Sequence, residues 1–246
     1  MRPVDLAFQL IELLGIHQPA GVSELARLAG IPRSTAQRTL QALHKTGWIE
    51  PAGAETTDWV ISMRAVIATG RTNHALARLR LVALPVMEEL RRVTEETVHL
   101  TCRFERALVL VERLDGIKPV RYFFPYGGVV PLHATASGQA MLAHFDDAEL
   151  DLYLKEPLES TTQLTITDRG ELEKRIAVAR KRGYATGFGG NHRGVNAVGA
   201  AIIDRMDSPV GAISISGPGA RLDERRAGEI GGLLVDATRR ISMALT

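Results

Sequence analysis

Residues Val22 to Trp48 read VSELARLAGIPRSTAQRTLQALHKTGW, and no other segment limits the fold of this chain so strongly. A helix-turn-helix needs a short helix, a tight turn with glycine, and a second helix with one buried and one exposed face. Ser23 is a good N-cap for a helix from Glu24 to Ala29, with Leu25 and Leu28 facing inward. Gly30 suits a C-terminal stop at positive φ. Pro32 suits the first turn of a following helix that runs to about Lys45 and is ended by Gly47. In that helix Ala36, Leu40 and Leu43 recur at spacings of four and three and form the buried stripe. Ser34, Gln37, Arg38 and Gln41 lie opposite. Arg38 fits a two-bond grip on guanine, and Gln37 or Gln41 fits adenine. Ser34 and Thr35 suit phosphate oxygens near the free N–H groups of the helix start. Ser23, Arg33 and Lys45 complete the expected DNA-binding set.

Charge placement supports this reading better than total charge, since the formal net charge is only +2. Residues 1–65 carry six basic and six acidic side chains. From Leu25 to Ile49, however, Arg27, Arg33, Arg38 and Lys45 occur without an acid. That is one cationic face on a neutral body. The plainer alternative is a solvated polar face on an ordinary three-helix unit.

The flanks extend the pattern. Leu6, Leu10, Leu13 and Leu14 predict a preceding amphipathic helix, ended by Gly15 and then by Pro19-Ala20-Gly21. Trp48-Ile49-Glu50 and Asp58-Trp59-Val60-Ile61 flank a turn at Pro51-Ala52-Gly53-Ala54, which reads as a hairpin. Three helices and a hairpin make a winged helix over residues 1–64. The wing turn carries Glu55, so little attraction to phosphate is expected of it. Residues 62 to about 92 read as continuously helical, with Pro85 as a break or restart. We assign 65–92 to linker and dimerisation helices. The acid-free stretch Trp59–Met87 holds Arg64, Arg71, Arg78 and Arg80, either near phosphates or on a solvated face that supports dimerisation. The second is favoured, because long connecting helices usually pair before they touch anything else.

From Thr97 the texture changes. Thr97–Phe104 and Leu108–Arg113 read as a strand pair, and Val120–Phe124 as a third strand. A loop with Pro125, Gly127, Gly128 and Pro131 follows. Helices are predicted at Ser137–His144, Ala148–Leu154 and Asp168–Arg182, strands at Val198–Ile203 and Val210–Ser216, and a last helix from Leu222 onward. Antiparallel strands flanked by helices indicate an α+β second domain over 93–246.

Beyond the N-terminal segment, Pro131-Leu132-His133-Ala134-Thr135-Ala136-Ser137-Gly138-Gln139-Ala140 resembles the loop into a helix found in the IclR family of bacterial transcription regulators. Arg182-Gly183-Tyr184-Ala185, then Gly194-Val195, then Ala212-Ile213-Ser214-Ile215-Ser216-Gly217-Pro218 resemble that family's closing block in order and spacing. The resemblance covers nearly the whole chain. It implies a GAF-like effector-binding domain, a dimer or tetramer, and double-stranded operator DNA of two-fold symmetry. It also implies a small effector, often an organic acid or aromatic carboxylate. By the resemblance, Ser214 and Ser216 belong to the effector site; alternation along a strand points both to one face. They either hold a carboxylate or satisfy neighbouring backbone. Leu132, Ala134, Thr135, Ser137 and Gly138 of the loop, with Asn191 and His192, complete the expected set. Ser137 also reads as an N-cap. Where the family commonly has an acid, near Gly187, this chain has none, which favours a more anionic or a larger ligand. One side of Arg121–Tyr126 either lines an apolar pocket for an aromatic ligand or packs in the core.

Other classes fit less well. His133, Ser137 and Ser214 could be arranged as a hydrolase, but there is no Gly-x-Ser-x-Gly elbow. Thus no enzyme activity is expected. The seven histidines show no short ligand spacing, so no metal and no cofactor is expected. A purely architectural DNA binder would not need the second domain. The single cysteine, Cys102, reads as a small hydrophobe rather than a redox switch. No secretory or membrane-spanning segment is visible, which predicts a cytoplasmic protein.

Overall fold

A computed structural model describes residues 2–53, 56–70 and 74–245. The chain forms two compact units, Met1–His74 and Ala75–Thr246.

In the first unit, α1 (Pro3–His17), α2 (Val22–Ala29) and α3 (Arg33–Lys45) pack around Leu10, Leu14, Leu25 and Leu40, which are fully buried. Helix α1 runs through Gly15 and ends at His17, because Leu14 is still fully buried there. Ser23 is not the cap of α2. Gly21 is, since Ala20–Gly21 forms a short strand β1 that pairs with β3 (Asp58–Ile61) and turns directly into the helix. Asp58 Oδ1 would lie 2.9 Å from a Cβ at Gly21, so the pairing leaves little room for a side chain there. Leu25 and Ala26 are the buried residues of α2, while Leu28 is half-buried. Gly30 caps α2 at φ 66°, as expected. Pro32 is the N-cap of α3 rather than its first turn. The hairpin is β2 (Ile49–Pro51) with β3, in the sheet order β1-β3-β2. Ala54 and Glu55 of the expected wing turn lie outside the described residues. The Ser62 hydroxyl donates to the Gly47 carbonyl and accepts from Ala65 N–H, tying the end of α3 to α4 (Met63–Gly70).

In the second unit, α5 (His74–Thr94) precedes β4 (Thr97–Phe104) and β5 (Ala107–Leu114). The helix expected over 62–92 is thus divided between the two units, and Arg71 lies outside the described residues. Pro85 does not break α5. It is exposed, while Ala83, Val86 and Met87 on either side of it are buried, so packing holds the helix through the residue that lacks an N–H. Then come β6 (Val129–Pro131), α6 (Ala136–Leu142), α7 (Asp147–Leu154), α8 (Arg169–Arg182), β7 (Ala185–Phe188), β8 (Val195–Ile203), β9 (Pro209–Pro218) and α9 (Glu224–Leu245). The six strands form one antiparallel sheet in the order β6-β5-β4-β9-β8-β7.

One sheet face is covered by α5 and α9, where Met87, Leu100, Ile213, Ile215 and Leu234 make a continuous core. The other is covered by α6, α7 and α8, whose Leu142, Tyr153 and Ile176 pack with Leu132 and Ala212. Cys102 packs at the margin of the first core, and burial pushes its thiol up to about 11. Val120–Phe124 is not a strand. Its carbonyls are taken by side chains instead: Arg221 donates to Val120 O at 2.8 Å and Arg113 donates to Phe124 O. The strand that pairs with the β5 edge is β6, inside the expected loop.

Candidate functional site

Two surfaces carry the chemistry, one in each unit. On α3, Ala36 and Leu40 are fully buried and Leu43 nearly so. Arg33, Ser34, Gln37, Arg38, Gln41 and Lys45 are exposed, Thr35 is half-buried, and Ser23 is exposed on α2. The helix therefore presents the expected polar side to solvent within its own unit. Among the described residues no carboxylate pairs with Arg27, Arg33, Arg38 or Lys45, so these cations keep their full field. Thr35 differs from the rest: its backbone carbonyl accepts from the Thr39 hydroxyl at 3.0 Å, within the helix. Arg64 lies against Gly47 without a carboxylate partner among the described residues, whereas Arg80 pairs with Glu112.

The second surface is a cavity of about 600 Å³, counting the open space at its mouth. Its floor is the sheet. His99 on β4 stands directly across from Ser214 on β9, with Thr97 across from Ser216 two pairs further. Paired residues share a face, so His99, Ser214 and Ser216 all point into the cavity. A strap of chain, residues 115–128, supplies Tyr122 and Phe124, whose rings stack 6.3 Å apart at 11°. Phe123 points outward beneath the Arg113 guanidinium. The strap thus has one lining side without being a strand.

The opposite wall is the loop into α6. His133 fixes it: its ring contacts the Tyr153 hydroxyl at 2.8 Å and the Glu159 carbonyl at 2.9 Å, and its own carbonyl accepts from Gln139. Thr135, not Ser137, is the N-cap, accepting from Gly138 N–H at 3.0 Å. Ser137 sits one residue into the helix and is buried at the cavity. The third wall is the β7–β8 loop with Asn191 and His192. Thr161, Thr162 and Thr165 hydroxyls donate to the Gly189 and Gly190 carbonyls and hold that loop in place.

Seven of the expected effector residues thus line one cavity: Ala134, Thr135, Ser137, Asn191, His192, Ser214 and Ser216. Leu132 and Gly138 do not. Leu132 is fully buried in the core below α6, and Gly138 is pressed against the Leu132 backbone. His99 and Thr101 were not expected. They lie in an apolar strand run, and only the pairing of β4 with β9 brings them to the serines. Gly187 does line the cavity, so the position without an acid faces it.

No Lys, Arg, Asp or Glu lines the cavity among the described residues. On two of its lining residues, His99 Nε2 and Ser216 Oγ are buried without a hydrogen-bond partner. Burial lowers the His99 pKa to about 4, helped by the Arg113 charge and opposed by Asp115. The folded value lies below the unfolded 6.5, so the native state resists protonation. The stability this contributes is complete above pH 6.5 and is lost as pH falls towards about 4. That difference corresponds to about 3 kcal/mol. A His99→Asn chain should show a flatter decline in melting temperature over this window than the wild type. Equal declines would mean that His99 does not titrate this way.

A cationic recognition helix on a winged three-helix unit, in one chain with an α+β unit around an uncharged cavity, defines a helix-turn-helix DNA-binding transcriptional regulator. The family profile described as the IclR helix-turn-helix domain matches residues 3–53, and the profile for the bacterial transcriptional regulator IclR C-terminal domain matches 74–243. The chain belongs to the IclR family of bacterial transcriptional regulators. It is 33% identical over 227 residues to the HTH-type transcriptional repressor AllR of Escherichia coli, covering 92% of this chain and 83% of the relative. The crystal structure of the Thermotoga maritima IclR superposes with a TM-score of 0.78 at 28% identity, covering 98% of each chain. An IclR homolog from Microbacterium hydrocarbonoxydans, complexed with 4-hydroxybenzoate, superposes at 0.84 with 24% identity and 99% coverage of both. Among the described residues no helix is long and apolar enough to cross a membrane.

Proposed function

We propose that this regulator's hold on its operator is set by a small carboxylate, aromatic in the first instance, bound in the cavity of the second unit. One observation carries the reading: two buried polar atoms, His99 Nε2 and Ser216 Oγ, face a cavity and have no protein partner. Leaving such groups unpaired is costly, so a ligand that satisfies them gains the difference. The stacked Tyr122 and Phe124 rings supply an apolar wall for a planar ligand. The relative bound to 4-hydroxybenzoate makes that compound a sensible first probe. Titrating carboxylates against the apo-protein tests the class. If neutral ligands raise the melting temperature and carboxylates do not, the class is wrong.

Ligand binding shifts the population between arrangements in which two DNA-reading units match, or fail to match, two half-sites. The chain works as a homodimer or homotetramer in the cytoplasm, with residues 65–92 carrying linkage and dimerisation. Repression or activation follows from operator position rather than from any residue. No catalysis takes place in the cavity. Ser214 lies in mid-strand, not on a strained turn, and both His133 ring nitrogens are already engaged.

Ser23, Arg33, Ser34, Thr35, Gln37, Arg38, Gln41 and Lys45 form the proposed DNA contact set. Arg38→Ala should weaken specific operator binding by ~1–3 kcal/mol, roughly 5- to 150-fold, if Arg38 grips a base. A mobility-shift assay on the upstream region reads this. An equal loss on unrelated DNA would reassign Arg38 to phosphate.

A further inference from the structure

We propose that the cavity takes up one proton with each carboxylate it binds, and that His99 holds that proton. This rests on the reading of the cavity as an effector site, and it names how that site meets a negative charge. A carboxylate stripped of water needs a counter-charge or a full set of donors. The cavity lining offers hydroxyls but no fixed cation among the described residues.

The nearest guanidinium is already engaged. Arg113 on β5 is the register partner of His99, but it pairs with Asp115 at 2.8 Å, donates to the Phe124 carbonyl and lies over the Phe123 ring. It is outside the cavity lining. Two groups there can acquire a positive charge. His192 is exposed, with Nδ1 facing the Arg193 carbonyl and its ring against Tyr122. His99 is 5% exposed and has a free buried nitrogen beside the two serines.

The groups that face His99 are few. Arg113 and Asp115 act on it from the β5 side, the first against protonation and the second for it. Tyr122 approaches from the strap at 6.4 Å between ring centroids. Strand β9 presents the Ser214 hydroxyl across the pair, and α6 presents Ala136 and Ser137, none of them charged. Without ligand the ring is therefore neutral at neutral pH. An incoming carboxylate reverses the balance. A proton passes from the buffer to a ring nitrogen, the N–H donates to a carboxylate oxygen, and no bond within the ligand changes.

Calorimetric titration of the full chain with benzoate, in two buffers of different ionisation enthalpy near pH 6.5, counts the protons. Benzamide is the neutral comparison. We expect about one proton taken up with benzoate and none with benzamide. The Kd for benzoate should rise with pH, approaching about tenfold per unit between roughly pH 6 and 8. His99→Gln should remove both effects, whereas His192→Gln should keep the proton count whatever it does to affinity. Benzoate binding without proton uptake, or uptake that persists in His99→Gln, overturns the proposal. Benzamide binding without benzoate binding overturns it together with the carboxylate class, and leaves the cavity as a site for a neutral ligand. If benzoate, 4-hydroxybenzoate and benzamide all fail to bind, the effector reading fails and takes the proposal with it. Should His99→Gln not fold, the wild-type buffer comparison decides the proton count, and an unchanged count in His192→Gln assigns it to His99, the other imidazole of the lining.

Discussion

Leu40→Ala is expected to cost the N-terminal unit about 2–5 kcal/mol and, with that, most of its operator binding. Leu40 is fully buried: from the inner side of the recognition helix it packs with Leu10, Leu14 and Leu25. A unit of this size is stabilised by only a few kcal/mol in all, because a small core buries a small share of its surface. The loss is therefore a large fraction of the whole. The chain provides its own reporter. Its two tryptophans, Trp48 and Trp59, both pack against this core, so fluorescence follows the N-terminal unit alone. Urea unfolding read by fluorescence should show an early transition in Leu40→Ala, with the second unit's circular-dichroism transition in place. A loss below about 1 kcal/mol would mean that Leu40 is not the anchor of the helix.

The second large effect is expected at Gly138. A Cβ there would stand 2.1 Å from the Leu132 carbonyl oxygen and 2.4 Å from its Cα. Backbone cannot turn aside as a side chain can, so α6 must shift bodily. Overpacking of this kind costs about 1–3 kcal/mol and occasionally more. Gly138→Ala should lower the melting temperature of the second unit and abolish benzoate binding, since α6 carries Ser137. Gly187 is the contrast. A Cβ there meets only Ala136, nearest at its N at 3.4 Å, an ordinary contact, so Gly187→Ala should leave stability nearly unchanged and narrow the cavity. Equal melting temperatures for the two variants would refute the packing argument.

These two sites show how unevenly the fold can be read from the chain. The Ala36, Leu40 and Leu43 stripe is local and periodic, and helix period alone predicts its burial. Strands β4, β5, β8 and β9 are legible for a similar reason, from β-branched runs between turn residues. Three local signals mislead. Pro85 is a helix breaker in isolation, but buried neighbours on both sides hold it in α5. Ser23 and Ser137 are good caps, yet chain geometry places Gly21 and Thr135 there. Residues 120–124 look like a strand, but two arginines take their carbonyls in place of a neighbouring strand. The cavity is harder again. Ser214 and Ser216 are found by alternation, whereas His99 joins them only through a pairing 115 residues away in sequence.

The Glu112 carboxylate is held by two parts of the chain that sequence keeps far apart. Tyr126, at the end of the strap, donates to one oxygen at 2.7 Å, and Arg80, on α5, donates to the other at 2.5 Å. Burial would raise its pKa, but these two partners and the Arg113 N–H together hold it low, so it stays ionised. An anion nearly sealed from water does not tolerate losing a donor. Any rearrangement that lifts Tyr126 away leaves Arg80 as its main remaining counterweight and so loads α5. The strap that lines the cavity and α5 are thereby tied through one carboxylate.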